Sequence, residues 1–448
     1  MTEIDRPLSG VERWYWLCDQ FSPLNVIARV RVHGALSPEA MRRGLDALQA
    51  RHPLLRTAIE QADDGTSPRW VPAQGRPIPL RHVTGAADGQ WVDEVNEHEL
   101  AERVDWRTGP MMRATIVSAP GEVHDLLVIV PHIIADGTTV LTLARQWLEL
   151  AATAVTAPPR PGAERALPPP DAMLPERHRG TEGADRLAEQ TARDEATMTQ
   201  YQPGRIEPTV QLPLEQRRTK LVHRELTGAQ LDAVLRACQR ENTTVHGALT
   251  AAMVQAAARD ADQAHTHVAI GSPIDFRDGL VPPVAGHEVG TYVATVPSVI
   301  SCTADLWEAA RAVNADLSRR KTDEDHFCLV NMVSSQCPES LDQARPFLEF
   351  MEKNGPINLC ASNIGRYDFP DTIGDWQLSD AQFLTGISVN GYFVATINTS
   401  HGRLFWNFTY IAEAIPDARA RHLADDCLAT LLSATAEHVH PTVEPEST

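Results

Sequence analysis

The stretch from Asp125 to Thr139 constrains the fold more than any other part of the chain. Leu126 to Val130 is a continuous apolar run of strand length and reads as a buried strand. Pro131 ends it, because proline has no N–H to give to a ladder. His132 follows, then Asp136 and Gly137, then an amphipathic segment from Thr138 to about Ala152 that reads as a helix. A buried strand that turns through a glycine into a helix calls for packed layers of helix and sheet. A histidine at that junction is held rigidly beside a cleft, which is what a general base needs.

The remainder of the chain has the same style, in two halves. Ser9 and Glu12 have capping-box spacing, so a short helix should begin there; buried aromatics suffice to explain Trp14 and Trp16. Asn25 to His33 alternates as a half-buried strand, and Ser37 with Pro38 starts a helix to about Ala50. Arg51 to Thr57 leads into another strand. A helix is expected from about Gln90 to Arg103 and a strand from Met111 to Ser118. Ala157 to Gly162 and Leu167 to Pro170 are proline-rich and read as an extended connector, followed by a helix from Thr181 to Gln200.

In the second half, strands are expected at Leu221–Leu226, His267–Pro273, from Val289 to Thr295, and at Ile357–Ser362, Gln382–Val389, Gly391–Thr399 and Arg403–Tyr410. Thr227 and Thr243 should cap helices, with two more from Ala304 to about Arg320 and from Pro416 to Leu432. Asn390-Gly391 is a type I′ hairpin signal, and the polar tail from His438 should fray. The expected division is a first lobe over 1–155, a connector over 156–185 and a second lobe over 186–448.

At 448 residues, two domains are the natural expectation. No apolar run approaches the ~18 residues of a membrane helix, and the N-terminus lacks a signal-peptide pattern, so a cytoplasmic protein without a membrane span is expected. Seven scattered cysteines with no CxxC pair read as buried reduced thiols. A net charge of −19 argues against nucleic acid as a partner. The charge is uneven: through Arg160 there are 20 carboxylates against 16 arginines, and beyond it 39 against 24 basic residues. An acidic partner therefore meets less repulsion on the first half.

With 17 histidines, no single one is singled out by rarity, and His132 gains weight from its neighbours. Asp136 can hold the loop, Gly137 permits close backbone approach, and the first helical N–H groups beyond it could stabilise an oxyanion. A serine hydrolase is disfavoured by the lack of a G-x-S-x-G elbow, and a metal site by the want of a third ligand near His265 and His267.

His132-Ile-Ile-Ala-Asp136-Gly137 resembles the HxxxDG core of the HHxxxDG motif of the condensation-domain superfamily, the acyltransferases that use CoA or carrier-protein thioesters. Other segments resemble it in the same order. They are Leu8 to Trp14, Arg51 to Thr57, Val289 to Thr295, and Ser362-Asn363-Ile-Gly365, the last similar to a turn of polyketide-associated acyltransferases. Two departures stand out. Pro131 replaces the first motif histidine, and no Asp-Phe-Gly-Trp-Gly segment is found; Gly402 to Tyr410 resembles the core strand that bacterial members have instead.

The resemblance implies an α/β fold of two-layer α+β lobes, a pseudo-dimer of chloramphenicol-acetyltransferase-like lobes with a tunnel between them. It implies catalysis by His132 with Gly137 beside it, structural roles for Asp136 and a partner Arg277, and Ser9, Ser362, Asn363 and Trp406 as tunnel-lining residues. The expected function is a stand-alone acyltransferase moving an acyl group from acyl-CoA or an acyl carrier protein to a small-molecule alcohol or amine, in natural-product or lipid biosynthesis. Phosphopantetheine or CoA thioester is its substrate, and no cofactor or metal is required. A monomer is expected, since the two lobes already supply the interface. One alternative uses the same residues, a free-standing peptide-synthetase condensation enzyme with both substrates on carriers; a second belongs to another class, a catalytically silent partner-recruiting domain, for which Pro131 speaks.

Overall fold

The computed structural model describes residues 3–153, 164–262, 264–355, 357–389 and 391–436. The tail from His438 and the hairpin residue Asn390 lie outside these. Among the described residues, two six-stranded sheets carry the architecture. The first runs in the order Thr372–Ile373, Trp376–Thr385, Asn25–His33, Val123–Pro131, Arg113–Ala119, Leu80–Thr84. The second runs Val293–Ser301, His267–Asp275, Leu359–Arg366, Phe393–Ser400, Arg403–Ile411, Thr219–Leu226. Two lobes of mixed helix and sheet result, as expected from the sequence.

The motif strand, Val123–Pro131, is central in the first sheet and pairs antiparallel with Asn25–His33 and with Arg113–Ala119. Its last five apolar residues are all at most 2% exposed, which explains the unbroken hydrophobic run. The motif helix, Gly137–Thr153, crosses back over this sheet and packs on the helix Pro38–Arg51. Their approach is tight: a Cβ on Gly44 would come within 2.8 Å of the Ala151 methyl. Trp147 Nε1 seals the contact by donating to the Met41 carbonyl at 3.0 Å.

The largest difference from the sequence-based division is Trp376–Thr385. This strand lies in the 186–448 segment but pairs with Asn25–His33 in the first sheet, from Gln377 opposite His33 to Thr385 opposite Val26. A bulge between Ser379 and Gln382 lets Leu378, Ala381 and Phe383 enter the first lobe's core, while Leu384 buries on the opposite face of the sheet. The second lobe therefore lends a strand to the first. The expected hairpin turn includes Asn390, outside the described residues; of the strands on either side, Trp376–Thr385 pairs in the first sheet and Phe393–Ser400 in the second.

The connector also differs from an extended linker over its described part. Glu164 meets Arg51 of the first lobe at 2.8 Å and His287 of the second at 3.3 Å, and Arg165 meets Glu288 at 2.6 Å. Met173 and Leu174 are buried with Phe276, Tyr292 and Phe327. The segment is a strap tied to both lobes by charge pairs and apolar burial. Smaller differences follow from local energetics. Thr244, not Thr243, caps Val245–Asp260. The helix expected near Gln90 is a single turn, Trp91–Glu94, that widens into a π turn over Val95–Glu99. Val289 and Gly290 precede their strand, which begins at Val293. Two helices, Asp325–Gln336 and Leu341–Asn354, are additions to the sequence reading. Among the described residues no helix is long and apolar enough to cross a membrane.

Candidate active site

The motif strand ends at Pro131, opposite Asn25, and the chain then turns through His132 to Ala135 before the motif helix. The His132 backbone is tied on both sides. Its N–H donates to the Leu24 carbonyl at 2.8 Å, and its carbonyl accepts a hydrogen bond from the Thr291 hydroxyl of the second lobe. The ring is half-buried and stacks on Tyr15, with centroids 4.6 Å apart and 24° between planes. Its Nδ1 is buried without a partner, so Nε2 is the nitrogen left toward open space. Burial lowers the imidazole's pKa, against smaller raising effects from nearby backbone carbonyl groups and Asp136. The ring is therefore neutral, and ready to accept a proton, at neutral pH.

Asp136 points away from that space. Its Oδ1 accepts from the Thr139 N–H at 2.9 Å, capping the motif helix, and its Oδ2 accepts from the Tyr292 N–H at 2.9 Å. Arg277 Nη2 reaches both carboxylate oxygens at 2.8 Å and also Thr139 Oγ1 at 2.8 Å. Arg277 Nη1 bonds Asp275 at 2.6 Å, and its guanidinium lies 4.8 Å from the Tyr292 ring centre. Burial alone would raise the Asp136 pKa, but Arg277 and the two backbone N–H groups outweigh it and hold the carboxyl below its ordinary value. Thr139 Oγ1 donates to the Gly290 carbonyl at 2.8 Å, and Ala135 and Gly290 form a parallel bridge. The loop that presents His132 is thus clamped across the lobe boundary.

Several expected site residues take other parts. The direction of the missing Gly137 Cβ is filled by the Phe383 ring, 2.6 Å from where that atom would be, so glycine is required there by packing and not by the approach of a substrate. The Thr139 N–H, one of the groups considered for an oxyanion, is taken by Asp136. Ser9 is occupied as a helix cap: its Oγ accepts from the Glu12 N–H at 3.3 Å, and Glu12 returns a bond to the Ser9 N–H at 2.9 Å. Trp406 is fully buried in the second lobe's core, on the strand face that also carries Leu404, Phe408 and Tyr410, so it packs there and lines no tunnel. Ser362 and Asn363 are half-buried on Leu359–Arg366. Asn363 Oδ1 accepts from the Gly365 N–H at 2.7 Å, building a bulge around the positive φ of Gly365. Beside the motif loop a small, partly open recess is walled by Arg6, Glu12, Leu54, Ile133, Pro169 and Tyr292.

A family model described as "Condensation domain" matches residues 14–157, which hold His132 and Asp136. A second, "Phthiocerol/phthiodiolone dimycocerosyl transferase C-terminus", matches residues 215–323, which hold Arg277. The part of the chain that carries the motif thus matches the condensation-domain family, and part of the second lobe matches an acyltransferase C-terminal family. Within this superfamily stand both acyltransferases and peptide-synthetase condensation members, which supports a transferase role.

Curated relatives of this condensation-type chain include nonribosomal peptide synthetase kk1B of Curvularia clavata, 33% identical over 130 residues, 29% of this chain and 1% of that protein. Phosphinothricin tripeptide synthetase PhsC of Streptomyces viridochromogenes is 28% identical over 172 residues, 36% of this chain and 15% of that protein. The match thus spans only a small fraction of the length of these relatives. Solved structures that share the fold include the TRI3 trichothecene 15-O-acetyltransferase from Fusarium sporotrichioides (TM-score 0.73, 13% identity, covering 96% of this chain and 95% of that one). Polyketide synthase associated protein 5 from Mycobacterium tuberculosis gives a TM-score of 0.68 at 17% identity, covering 97% and 99%. The epimerization domain of tyrocidine synthetase B gives 0.69 at 15%, covering 98% and 97%. At such identities the likeness concerns the condensation fold alone, which carries more than one chemistry.

Three residues that shape the site escaped sequence reading: Tyr15, Thr291 and Phe383. A signal for Tyr15 was present. Trp14, Tyr15 and Trp16 are consecutive on one helix, so the three rings must leave in three directions. Trp16 meets Trp106, Trp14 meets Phe347, and Tyr15 meets His132.

Proposed function

We propose that this chain is an acyltransferase that moves an acyl group from a CoA or carrier-protein thioester to an alcohol or amine, with His132 as the general base. The observation that carries it is the state of His132: a neutral imidazole with Nδ1 buried and Nε2 toward open space, on a loop clamped between the lobes. In the proposed step Nε2 takes the proton of the acceptor O–H or N–H as that oxygen or nitrogen forms a bond to the thioester carbonyl carbon. The tetrahedral intermediate then collapses, the C–S bond breaks, and the imidazolium returns its proton to the leaving thiolate. No metal or redox group is called for. Asp136 and Arg277 hold the loop and take no part in proton transfer.

The experiment is thioester turnover by intact mass, comparing the wild type with His132→Ala. Loss of about 10²- to 10⁴-fold with an unchanged melting temperature supports the role. Near-normal turnover by the variant would refute it.

A second reading is favoured by the peptide synthetases among the relatives of the first lobe. In it the chain is a free-standing condensation enzyme whose donor and acceptor both ride on carrier proteins. Acyl-CoA against acyl-carrier protein, and free against tethered acceptor, separate the two in the same assay.

A further inference from the structure

A histidine serves as a base only if its ring orientation and proton state are set before the substrate arrives. No carboxylate does this for His132 among the described residues. The oxygens of Asp136 are taken by Arg277, Thr139 and Tyr292, and His132 Nδ1 has no side-chain partner. Burial is the largest influence on the imidazole. Against it act two backbone carbonyls, those of His132 itself and of Ala135, together with the field of Asp136. Both carbonyls belong to the motif loop, and the second lobe grips the loop at each of them.

Three consecutive residues make that grip. Gly290 forms a parallel bridge with Ala135, and its carbonyl accepts from Thr139 Oγ1 at 2.8 Å. The Tyr292 N–H donates to Asp136 at 2.9 Å. Between them, Thr291 reaches His132 itself: its hydroxyl donates to the His132 carbonyl. Thr291 is only 3% exposed, so water does not compete for this bond. On its other side, the His132 N–H donates to the Leu24 carbonyl at 2.8 Å. The peptide unit before His132 is therefore held by the first lobe, and the one after it by the second. Of these three second-lobe residues, Gly290 and Tyr292 bond the loop through backbone atoms. Thr291 bonds it through its side chain, so a substitution removes this contact and leaves the backbone in place.

We infer that Thr291 is a positioning residue for His132: its hydroxyl fixes the His132 carbonyl and so lets the second lobe set the base in the orientation used for proton transfer. This rests on the reading of His132 as the general base. A carbonyl oxygen has two lone pairs. Thr291 takes one, which fixes the tilt of the 132–133 peptide and the direction of the other. Without the hydroxyl that buried carbonyl loses its partner, the peptide tilts, and the ring carried on the same Cα moves with it. A misplacement of about 1 Å at a reacting group costs on the order of 10²-fold in rate. The base is thus in register only while the two lobes are joined at this point. The other titratable groups packed around the imidazole are Asp136, neutralised by Arg277, and Tyr15, whose pKa burial raises, so that it stays a neutral phenol.

The test uses the full-length protein with Thr291→Val, which keeps the shape and lacks the hydroxyl, and Thr291→Ser, which keeps the hydroxyl. Each is checked by thermal melting, and Thr291→Ala replaces the Val variant if that one does not melt cooperatively. Two readouts are taken: steady-state kinetics across pH, and the titration of His132 by NMR of 13Cε1-labelled histidine, with His132→Gln identifying its signal. In the Val variant kcat should fall about 10- to 100-fold with KM little altered. Its His132 midpoint should fall below that of the wild type, because the carbonyl that favours the protonated ring is no longer held in line. Ser should restore kcat to within about threefold and return the midpoint to the wild-type value. A folded Val variant in which either kcat or the His132 titration is unchanged overturns the inference. Equal damage by Ser and Val also overturns it, since packing and not the hydroxyl would then be the active part. If the wild type transfers no acyl group from any thioester, the functional reading fails, and the titration still decides whether Thr291 sets the state of His132.

Discussion

Arg277 Nη2 lies 2.8 Å from both carboxylate oxygens of Asp136, joining the motif loop of the first lobe to the second. Both side chains are nearly inaccessible, at 6% and 3% exposure. Removing one member of such a pair strands the other charge in the interior. Arg277→Leu or Asp136→Ala should therefore cost about 3–5 kcal/mol in unfolding free energy, measured by urea denaturation. Arg277→Lys should recover little of this, because an ammonium cannot reach Asp136, Asp275 and Thr139 together in the same geometry. Wild-type stability in either truncation variant would remove the clamp from the account.

Gly137 and Phe383 form a second pair across the lobes' sequences. Gly137→Ala forces a methyl into the Phe383 ring. The expected cost is about 1–3 kcal/mol, read as a lowered denaturation midpoint. Because a ring edge is the obstacle, Phe383→Leu in the same chain should restore part of the loss. A double variant no better than the sum of the singles would show that the clash lies elsewhere.

Asn407 stitches the crossing strand to the second sheet. Its Nδ2 donates to Gln382 Oε1 at 2.9 Å and to the Phe383 carbonyl at 3.1 Å, and its Oδ1 lies 2.7 Å from His223 Nδ1. Asn407→Leu strips Gln382 Oε1 and His223 Nδ1 of this partner, while the Phe383 carbonyl keeps its bond from Thr396 Oγ1, and should destabilise the fold by about 1–3 kcal/mol. Hydrogen exchange should localise the loosening to residues 376–385, and uniform protection there would contradict the assignment.

Stability should fall in mild acid. Burial, the largest cause in each case, pushes His52, His246 and His326 down to about 4 from an ordinary 6.5. Between these values the unfolded chain binds protons that the folded chain refuses, so stability is lost as pH drops from 6.5 toward 4. Asp19, pushed up to about 6 by burial, and Asp275 and Asp325, also raised by burial, act in the opposite direction, whereas His124, His132, His178, His223 and His267, lowered by burial, add to the loss. Urea midpoints at a series of pH values check this, and His52→Gln should flatten the curve. A midpoint that rises on acidification would reverse the expected sign.

Much of the local structure was legible in the sequence because it is written in short-range spacing. Asn25–His33 forms the strand its spacing predicts, but Asn25 to Val30 are buried on both faces and not half-buried. Ser9/Glu12 and Ser37/Pro38 start their helices, and Thr227 caps Gly228–Arg240 with Gln230 completing the box. The motif strand and helix fall within three residues of their expected ends. The junction that presents His132 was legible for the same reason. The partnership of Asp136 with Arg277 came from resemblance, since 141 residues separate them and no periodicity links the two. Gly137 was read as room for a substrate because a glycine in sequence shows that space is needed, not what fills it.

By itself, then, the sequence determined many of the helices and strands and where a base could stand. Those properties depend on the torsions and apolar spacing of neighbouring residues. The tertiary structure alone decided that Trp376–Thr385 pairs with Asn25–His33, that residues from Glu164 onward strap both lobes, and that Tyr15 faces His132. A strand edge offers the same N–H and C=O groups to any partner. An aromatic ring likewise carries no address. The choice is made by burial and shape summed over residues hundreds of positions apart.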